Sequence, residues 1–511
     1  MNSGVAHWEK PIRSASNTIP EAADDASSPS GSRYLVLIFK IFILLSMLFV
    51  CLAGLMYVRN ETEFLILLLT VVSTLTLSIP VFIRRDYSLF EPMTFVIMVF
   101  MFGAPFKVCY VLANSDAMYV VERLLNHEST TALLYGLGIV LLSLISLVAG
   151  YMVRFGVGNL SVLYLPQIKS WNPIRLQVVL ILLLLVSLAS LVGFFALAGV
   201  RFTSFDDFSA KRFSEEEGSG AARVFELKYY LYRIAAFSKF VAYLGLVWLY
   251  TSRRKWLSLT GLFVLWSILQ TMFLATAMSN RAGVVLLLID CMVLTYFLKK
   301  QIRLSSILIG FGICLALLIP MLASRDKSDH SIFDVVEKSM LGRDMMDVTK
   351  TCHIINAVPN KMEYRNGEMF YGWACSIIPK SIWPDRPLWV ERGPMIHQNV
   401  YGLKGGIAGC PPGLIAELYW NFGMIGTLIG MFLMGMIFRA IFVAFRPAAA
   451  NPTSVLLYTI LVTRFVMFSL GNDWGTGIVK AGLDLVPLLL ILAVVGVWPR
   501  PTQRKGPAKE Q

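Results

Sequence analysis

Apolar runs of about 20 residues, the length a helix needs to cross the hydrocarbon of a bilayer, recur along almost the whole chain. They cover residues 35–58, 64–83, 93–112, 132–153, 176–200, 234–250, 256–278, 282–298, 304–323, 413–438, 454–470 and 478–498. Lipid offers no partner to backbone N–H and C=O groups, so runs of this kind cross a membrane as helices. The expected fold is therefore all-α and polytopic, with about twelve transmembrane helices. Composition agrees: 56% of the 511 residues are apolar, 15% are charged, and mean hydropathy is +0.66. A soluble domain carries roughly 25% charged residues. The net charge of +13 does not point to nucleic acid, because the basic residues sit in short clusters between the apolar runs.

Those clusters set an orientation. Arg84 and Arg85 fall in one loop; Arg154, Lys169 and Arg175 in another; Arg253, Arg254 and Lys255 in a third; Lys299, Lys300 and Arg303 in a fourth. Arg446 and a tail with Arg500, Arg504, Lys505 and Lys509 complete the set. All lie on the side that holds both termini, which the positive-inside rule assigns to the cytoplasm. Residues 1–33, rich in Ser, Ala, Pro and Asp, are expected to be a disordered cytoplasmic tail. No cleavage site precedes the first run, which therefore reads as a retained anchor rather than a signal peptide. The organisation expected is helices 1–9 over 34–323, a large outer loop over 324–412, helices 10–12 over 413–498, and a basic cytoplasmic tail over 499–511. The loop contains Trp373, Trp383 and Trp389 and an amphipathic stretch with Ile332, Phe333, Val336, Met340, Met345 and Val348. Short helices lying on the membrane face, packed over the bundle, are expected there.

Ionisable residues within apolar runs are functional candidates by default. Lys107, Lys239, Glu417, Arg464 and Asp484 fall in the outer halves of their runs, and Asp290 near the middle. Arg464 and Asp484 lie at matching depth, about 9 Å below the outer surface at 1.5 Å per residue, and are expected to pair. Each charge alone is as well explained by a structural ion pair, but the set suggests a polar cavity open to the outer face. The seven cysteines form no CxxC pair, and no His/Cys spacing suits a metal. Cys352, Cys375 and Cys410 share the long loop, where one disulfide is conceivable.

Two stretches carry the chemistry. Ser279-Asn280-Arg281-Ala282-Gly283 opens a helix at the outer face. Ser279 or Asn280 can cap it, which leaves N–H groups and a positive dipole end beside a guanidinium. That is an anion site, or simply a capped helix with an interfacial Arg. The second stretch reads IIPKSIWPDRPLWVERGP and then GIAGCPPGLIAELYWNFG. Its Pro379, Lys380, Trp383, Pro384, Asp385, Arg386 and Pro387, followed by Pro412, Glu417, Tyr419, Asn421, Phe422 and Gly423, resemble the large outer loop and following helix of the O-antigen and exopolysaccharide repeat-unit polymerases, the Wzy-type family. The likeness covers about 50 residues of that loop, with Lys380 where the family often has Arg.

The resemblance implies a GT-C-like, metal-independent glycosyltransferase of the bacterial inner membrane. Such enzymes join undecaprenyl-pyrophosphate-linked oligosaccharide units for O-antigen, capsule or exopolysaccharide. It implies no cofactor, and as partners the lipid-linked oligosaccharide, membrane lipid, and a flippase and chain-length regulator of the same pathway. The residues suit that chemistry. Arg281, Arg325, Arg386 and Arg392, helped by Lys380, can stabilise a pyrophosphate leaving group. Glu417, His397 and Asp385 are the candidates to accept or orient the acceptor hydroxyl, although for Asp385 a loop-stapling ion pair fits as well. Trp383, Trp389, Tyr401 and Trp420 can stack on sugars or belong to the interfacial aromatic belt. Two other readings remain: a ligase moving finished glycan from the same carrier, and a flippase or exporter of lipid-linked sugar. The last requires charges lining both halves of the bundle.

Overall fold

The structure is a computed structural model. It describes residues 30–113, 127–155, 170–198, 221–252, 256–278, 280–299, 347–376, 392–401, 411–445 and 452–497, with scattered residues in 304–316 and 378–385. Residues 1–29 and 498–511 and most of the run 304–323 lie outside the described residues, while 30–33, expected in the N-terminal tail, open the first helix.

Among the described residues, eleven helical segments are long and apolar enough to cross a membrane. They correspond one for one to the other eleven apolar runs. The first two are α1 (Ser30–Tyr57) and α2 (Glu61–Ile83). The third is α3 (Pro92–Gly103) with α4 (Pro105–Ala113), jogged at Ala104 before Pro105. Next come α5 (His127–Met152) and α6 (Pro173–Ala198), then α7 (Ala221–Ala235) with α8 (Ser238–Thr251), α9 (Leu259–Ala277) and α10 (Arg281–Lys299). The outer loop contributes α11 (Val348–Ala357), α12 (Glu368–Ser376) and α13 (Arg392–Asn399). Three spans follow: α14 (Leu414–Phe445); α15 (Pro452–Ile460) with a π-helical turn (Leu461–Val466) and α16 (Met467–Gly471); and α17 (Trp474–Val495). The described extended structure is one antiparallel pair, β1 (Ser170–Trp171) with β2 (Gly496–Val497).

The outward faces explain why lipid is the solvent. Leu48, Phe49 and Leu52 on α1, Leu182 and Leu185 on α6, Ile425 and Ile429 on α14, and Leu490 on α17 are all exposed. Apolar surface that continuous is not left in water. Polar side chains turned inward are satisfied locally: on α2 the hydroxyls of Thr70, Thr74 and Ser78 each donate to the carbonyl four residues back, at 2.8–2.9 Å.

Among the described residues the core has two large parts and two small ones. One joins α1–α5 to the loop helices and α14. The other joins α6, α8, α10, α15 and α17. Small residues let the first part close. A Cβ on Gly150 would sit 2.0 Å from the carbonyl oxygen of Phe432, and one on Gly435 would sit 2.0 Å from that of Leu147. α5 and α14 therefore touch backbone to backbone, the contact that glycine makes possible between membrane helices.

The described part of the loop is packed on the bundle through α11. Val348, Thr349, Cys352, Ile354 and Ile355 are wholly buried, and Cys352 rests on α5 where Gly136 has no side chain. Cys352 carries a free thiol. The rest of the amphipathic stretch, residues 332–345, lies outside the described residues, as does Cys410.

Candidate functional site

The site is built on a break in α14. At Gly423 the backbone turns to φ 66°, ψ −165°, a conformation open to glycine and strained for other residues. Leu418 then meets Gly430: a Cβ on that glycine would be 2.6 Å from the Leu418 Cδ2. Twelve residues along one straight helix span about 18 Å, so the arm 414–422 folds back beside the arm 424–445. The second arm faces lipid through Met424, Ile425 and Ile429. The first is buried from Leu414 to Asn421. The apolar run expected to be one span is one candidate span, broken at Gly423 into a buried arm and a longer helix.

The E-L-Y-W-N-F-G segment forms this arm, and its side chains fasten the loop. Asn421 Oδ1 accepts from the N–H of Gly367 (3.1 Å) and of Met369 (3.3 Å), while its Nδ2 donates to the carbonyl of Glu417 at 2.7 Å. The carbonyls of Trp420 and Asn421, left open where the arm ends, accept from the N–H of Arg365 and Asn366 at 3.0 Å each. Trp420 Nε1 donates to the carbonyl of Glu363 at 3.1 Å. Arg365 lies over the Trp420 ring, pairs with Glu368 at 3.2 Å, and reaches Met395 on α13. The Asn366-Gly367 turn, with φ of 47° and 87°, brings the chain over the arm.

Glu417 is fully buried, and its Oε2 accepts from the N–H of Trp474 at 2.7 Å. A carboxylate at the first turn of α17 is favoured by the helix dipole. The N–H of Gly413 donates to the carbonyl of Asn472 at 2.6 Å, so the arm is tied to the turn between the last two spans at two points.

α11 closes a second side of this end. Asp347 caps it, accepting from the N–H of Thr349 (3.0 Å) and of Lys350 (3.3 Å), and its other oxygen takes Lys107 Nζ at 2.7 Å. Burial works against the charged form of Asp347, but Lys107 and Lys350 outweigh it and hold the carboxyl below its ordinary range. Burial, helped by the like charges of Lys107 and Lys361, pushes the His353 imidazole down to about 4, against the pull of Asp347. His353 packs on Tyr401, which places α13 beside α11.

The expected site residues are distributed as follows. Glu417 is in the buried arm. Asp385 is exposed. His397 is in α13 and Arg392 is its first residue; the backbone of α13 is docked through buried Ile396 and partly buried Met395. Arg281 is the first residue of α10, where Asn280 Oδ1 accepts from the N–H of Gly283 at 3.1 Å, the cap expected there. Arg325, Lys380 and Arg386 lie outside the described residues. Sequence reasoning missed Arg365, Asp347 and the clamping role of Asn421. The Asn-Gly pair at 366–367 was a visible turn signal; the partners it serves were not.

Deeper in the bundle, Arg464 and Asp484 do pair, Nε to Oδ2 at 2.8 Å. The network is larger than expected. Arg464 Nη2 also reaches Asp290 at 2.8 Å, Lys239 pairs with Asp484, and the Tyr243 hydroxyl donates to Asp290. Two cations meet two carboxylates, all with side chains at most 19% exposed. Arg464 is placed by the π-helical turn, a feature common at functional positions.

A further buried charge cluster lies at the basic end. Glu91, wholly buried at the basic end, is paired with Arg84 and lies near Arg439.

Fold and site together define a polytopic, all-helical membrane protein whose loop is clamped onto a buried arm. A family model described as a domain of unknown function (DUF8712) matches residues 339–446, which takes in the loop helices and all of α14. No curated protein and no solved structure matches the chain.

Proposed function

We propose that the chain is a glycosyltransferase of the repeat-unit polymerase type, GT-C-like, in a bacterial inner membrane with both termini cytoplasmic. Its substrates are oligosaccharide units on undecaprenyl pyrophosphate, joined at the outer face for O-antigen, capsule or exopolysaccharide. One observation carries the reading: the E-L-Y-W-N-F-G half of the segment that resembles the Wzy-type polymerases forms a buried arm folded back on α14, and its Asn421 and Trp420 fasten the loop at residues 363–369.

In the reaction, an acceptor hydroxyl oxygen bonds to the anomeric carbon of the donor chain. The bond from that carbon to the pyrophosphate oxygen breaks, and undecaprenyl pyrophosphate leaves with the electron pair. Arg281, Arg325, Arg386, Arg392 and Lys380 are assigned to the growing charge. The hydroxyl proton passes to a base, for which Asp385 and His397 are assigned. Glu417, buried and bound to the Trp474 N–H through Oε2, is the third candidate for that role and also holds the arm.

The mutual pairing of Lys239, Asp290, Arg464 and Asp484 supports an enzyme working from one face over a flippase or exporter. A ligase of finished glycan is the second reading, favoured by the same lipid-carrier logic. Glycan from a strain lacking the protein separates them. Single units accumulating on the outer leaflet with no ladder are expected. Intact polymer held on its carrier would mean a ligase, and units trapped on the inner leaflet a flippase. Arg281→Ala and Arg386→Ala are expected to lose long polymer at normal protein abundance; unchanged chain length in both would overturn the pyrophosphate assignment.

A further inference from the structure

The basic end of the bundle, remote from the loop, holds a guanidinium without a ligand. Three spans finish there at one level. Arg84 follows the last residue of α2, Glu91 precedes the first of α3, and Tyr151 is next to the last of α5. Glu91 is saturated. Its Oε1 accepts from the N–H of Ser88 at 3.0 Å, and its Oε2 accepts from Arg84 Nη1 at 2.6 Å and the Tyr151 hydroxyl at 2.5 Å. Arg84 turns its remaining fork on Asp86, at 3.2 and 2.7 Å.

Arg439 of α14 is left over. Its Nη1 comes no closer than 3.6 Å to Glu91 Oε2 and is buried without a hydrogen bond. Its charge is held between the rings of Tyr151 (5.8 Å) and Phe442 (5.7 Å). A guanidinium has five N–H donors in a planar fork, and here the described residues accept from none of them. The side chain keeps 18% exposure, while Nη1 itself is buried. The buried part of the cluster sets two guanidinium groups against one carboxylate. Asp86 is 71% exposed, and water screens it.

Such a fork suits phosphate oxygens, which it grips in pairs. The level is right for a headgroup: Arg439 is six residues, about 9 Å, from the end of α14, beside three span termini. Phe82 and Ile83 are exposed next to Arg84 and provide apolar surface for acyl chains, and the exposed Arg85 adds positive charge at the rim. Basic pockets between helices on this side of a membrane take acidic headgroups.

We propose that Arg439 anchors a phosphate-binding site at the basic end and that its occupant is the headgroup of an anionic phospholipid of that leaflet. The site is independent of the chemistry at the loop end.

The test uses the full chain in detergent, with phosphatidylglycerol, phosphatidylcholine or inorganic phosphate added. Tm is followed, and bound lipid is counted by native mass spectrometry. Phosphatidylglycerol is expected to raise Tm by several degrees and to remain bound, while the other two probes leave Tm nearly unchanged. Arg439→Gln is expected to lose both the rise and the retained lipid. An equal rise with inorganic phosphate would assign the site to a soluble anion and overturn the lipid. An equal rise and equal retention in Arg439→Gln would overturn the site. Where that variant does not fold, Arg85→Gln replaces it: this exposed change is expected to keep the starting Tm and lose part of the rise, and a full rise overturns the proposal.

Discussion

At Asp347 one carboxylate both caps α11 and neutralises Lys107, a residue 240 positions earlier in the chain. Removing one partner of a buried pair strands the other. Lys107→Met is therefore expected to cost about 3–5 kcal/mol, read as a fall in Tm in detergent, with part of it restored by adding Asp347→Leu. Acid is expected to act on the same place. The His353 imidazole titrates near 4 in the fold against an ordinary 6.5. On acidification the unfolded chain takes that proton first, so stability falls as pH drops through 6.5 towards 4. Asp347, held below its ordinary 3.8, adds stability that is lost only at lower pH still. His353→Phe should flatten the first part of a Tm-against-pH curve, and an unchanged slope would clear His353 of the effect. Lys107 was legible in the sequence as a charge in an apolar run. Asp347 was not, because nothing local marks a loop carboxylate as the partner of a residue in another span.

Among the elements, α14 shows where hydropathy stops being informative. A window of apolar residues has no direction, so a buried arm and the helix after it read as one run. Gly423 was visible only as part of a resemblance, yet its φ of 66° makes the reversal. Gly423→Ala is expected to cost about 1–3 kcal/mol in backbone strain and to shorten the glycan ladder, because the arm would shift beneath its loop. A full ladder would detach the arm from activity. Where α5 meets α14 the constraint is volume. Gly435→Ala is expected to destabilise by about 1–3 kcal/mol through overpacking, measured as Tm, since the added methyl would press on the Leu147 carbonyl. The loop helices were anticipated in kind but not in their buried partners. In α11, Thr349 and Lys350 are buried and donate to Asp347, through the Thr349 hydroxyl and the Lys350 N–H.

For the molecule as a whole, the spans were the most legible feature, because each is specified by its own residues and by the thickness of the solvent it crosses. The ion network was half legible: depth matched Arg464 to Asp484, but Lys239, Asp290 and Tyr243 come from helices whose adjacency no single run encodes. Arg464→Met is expected to cost about 3–5 kcal/mol by leaving Asp290 without its cation, and a smaller loss would mean that Lys239 takes over. The pairing also bears on how the chain is made. An arginine at the centre of a nascent span opposes insertion by about 2.5–3.5 kcal/mol. Here the compensating aspartate arrives twenty residues later, on the far limb of a hairpin turned at Asn472 and Asp473. Residues 452–495 are thus able to leave the translocon as one charge-neutral unit, and the final span rescues its predecessor during biosynthesis.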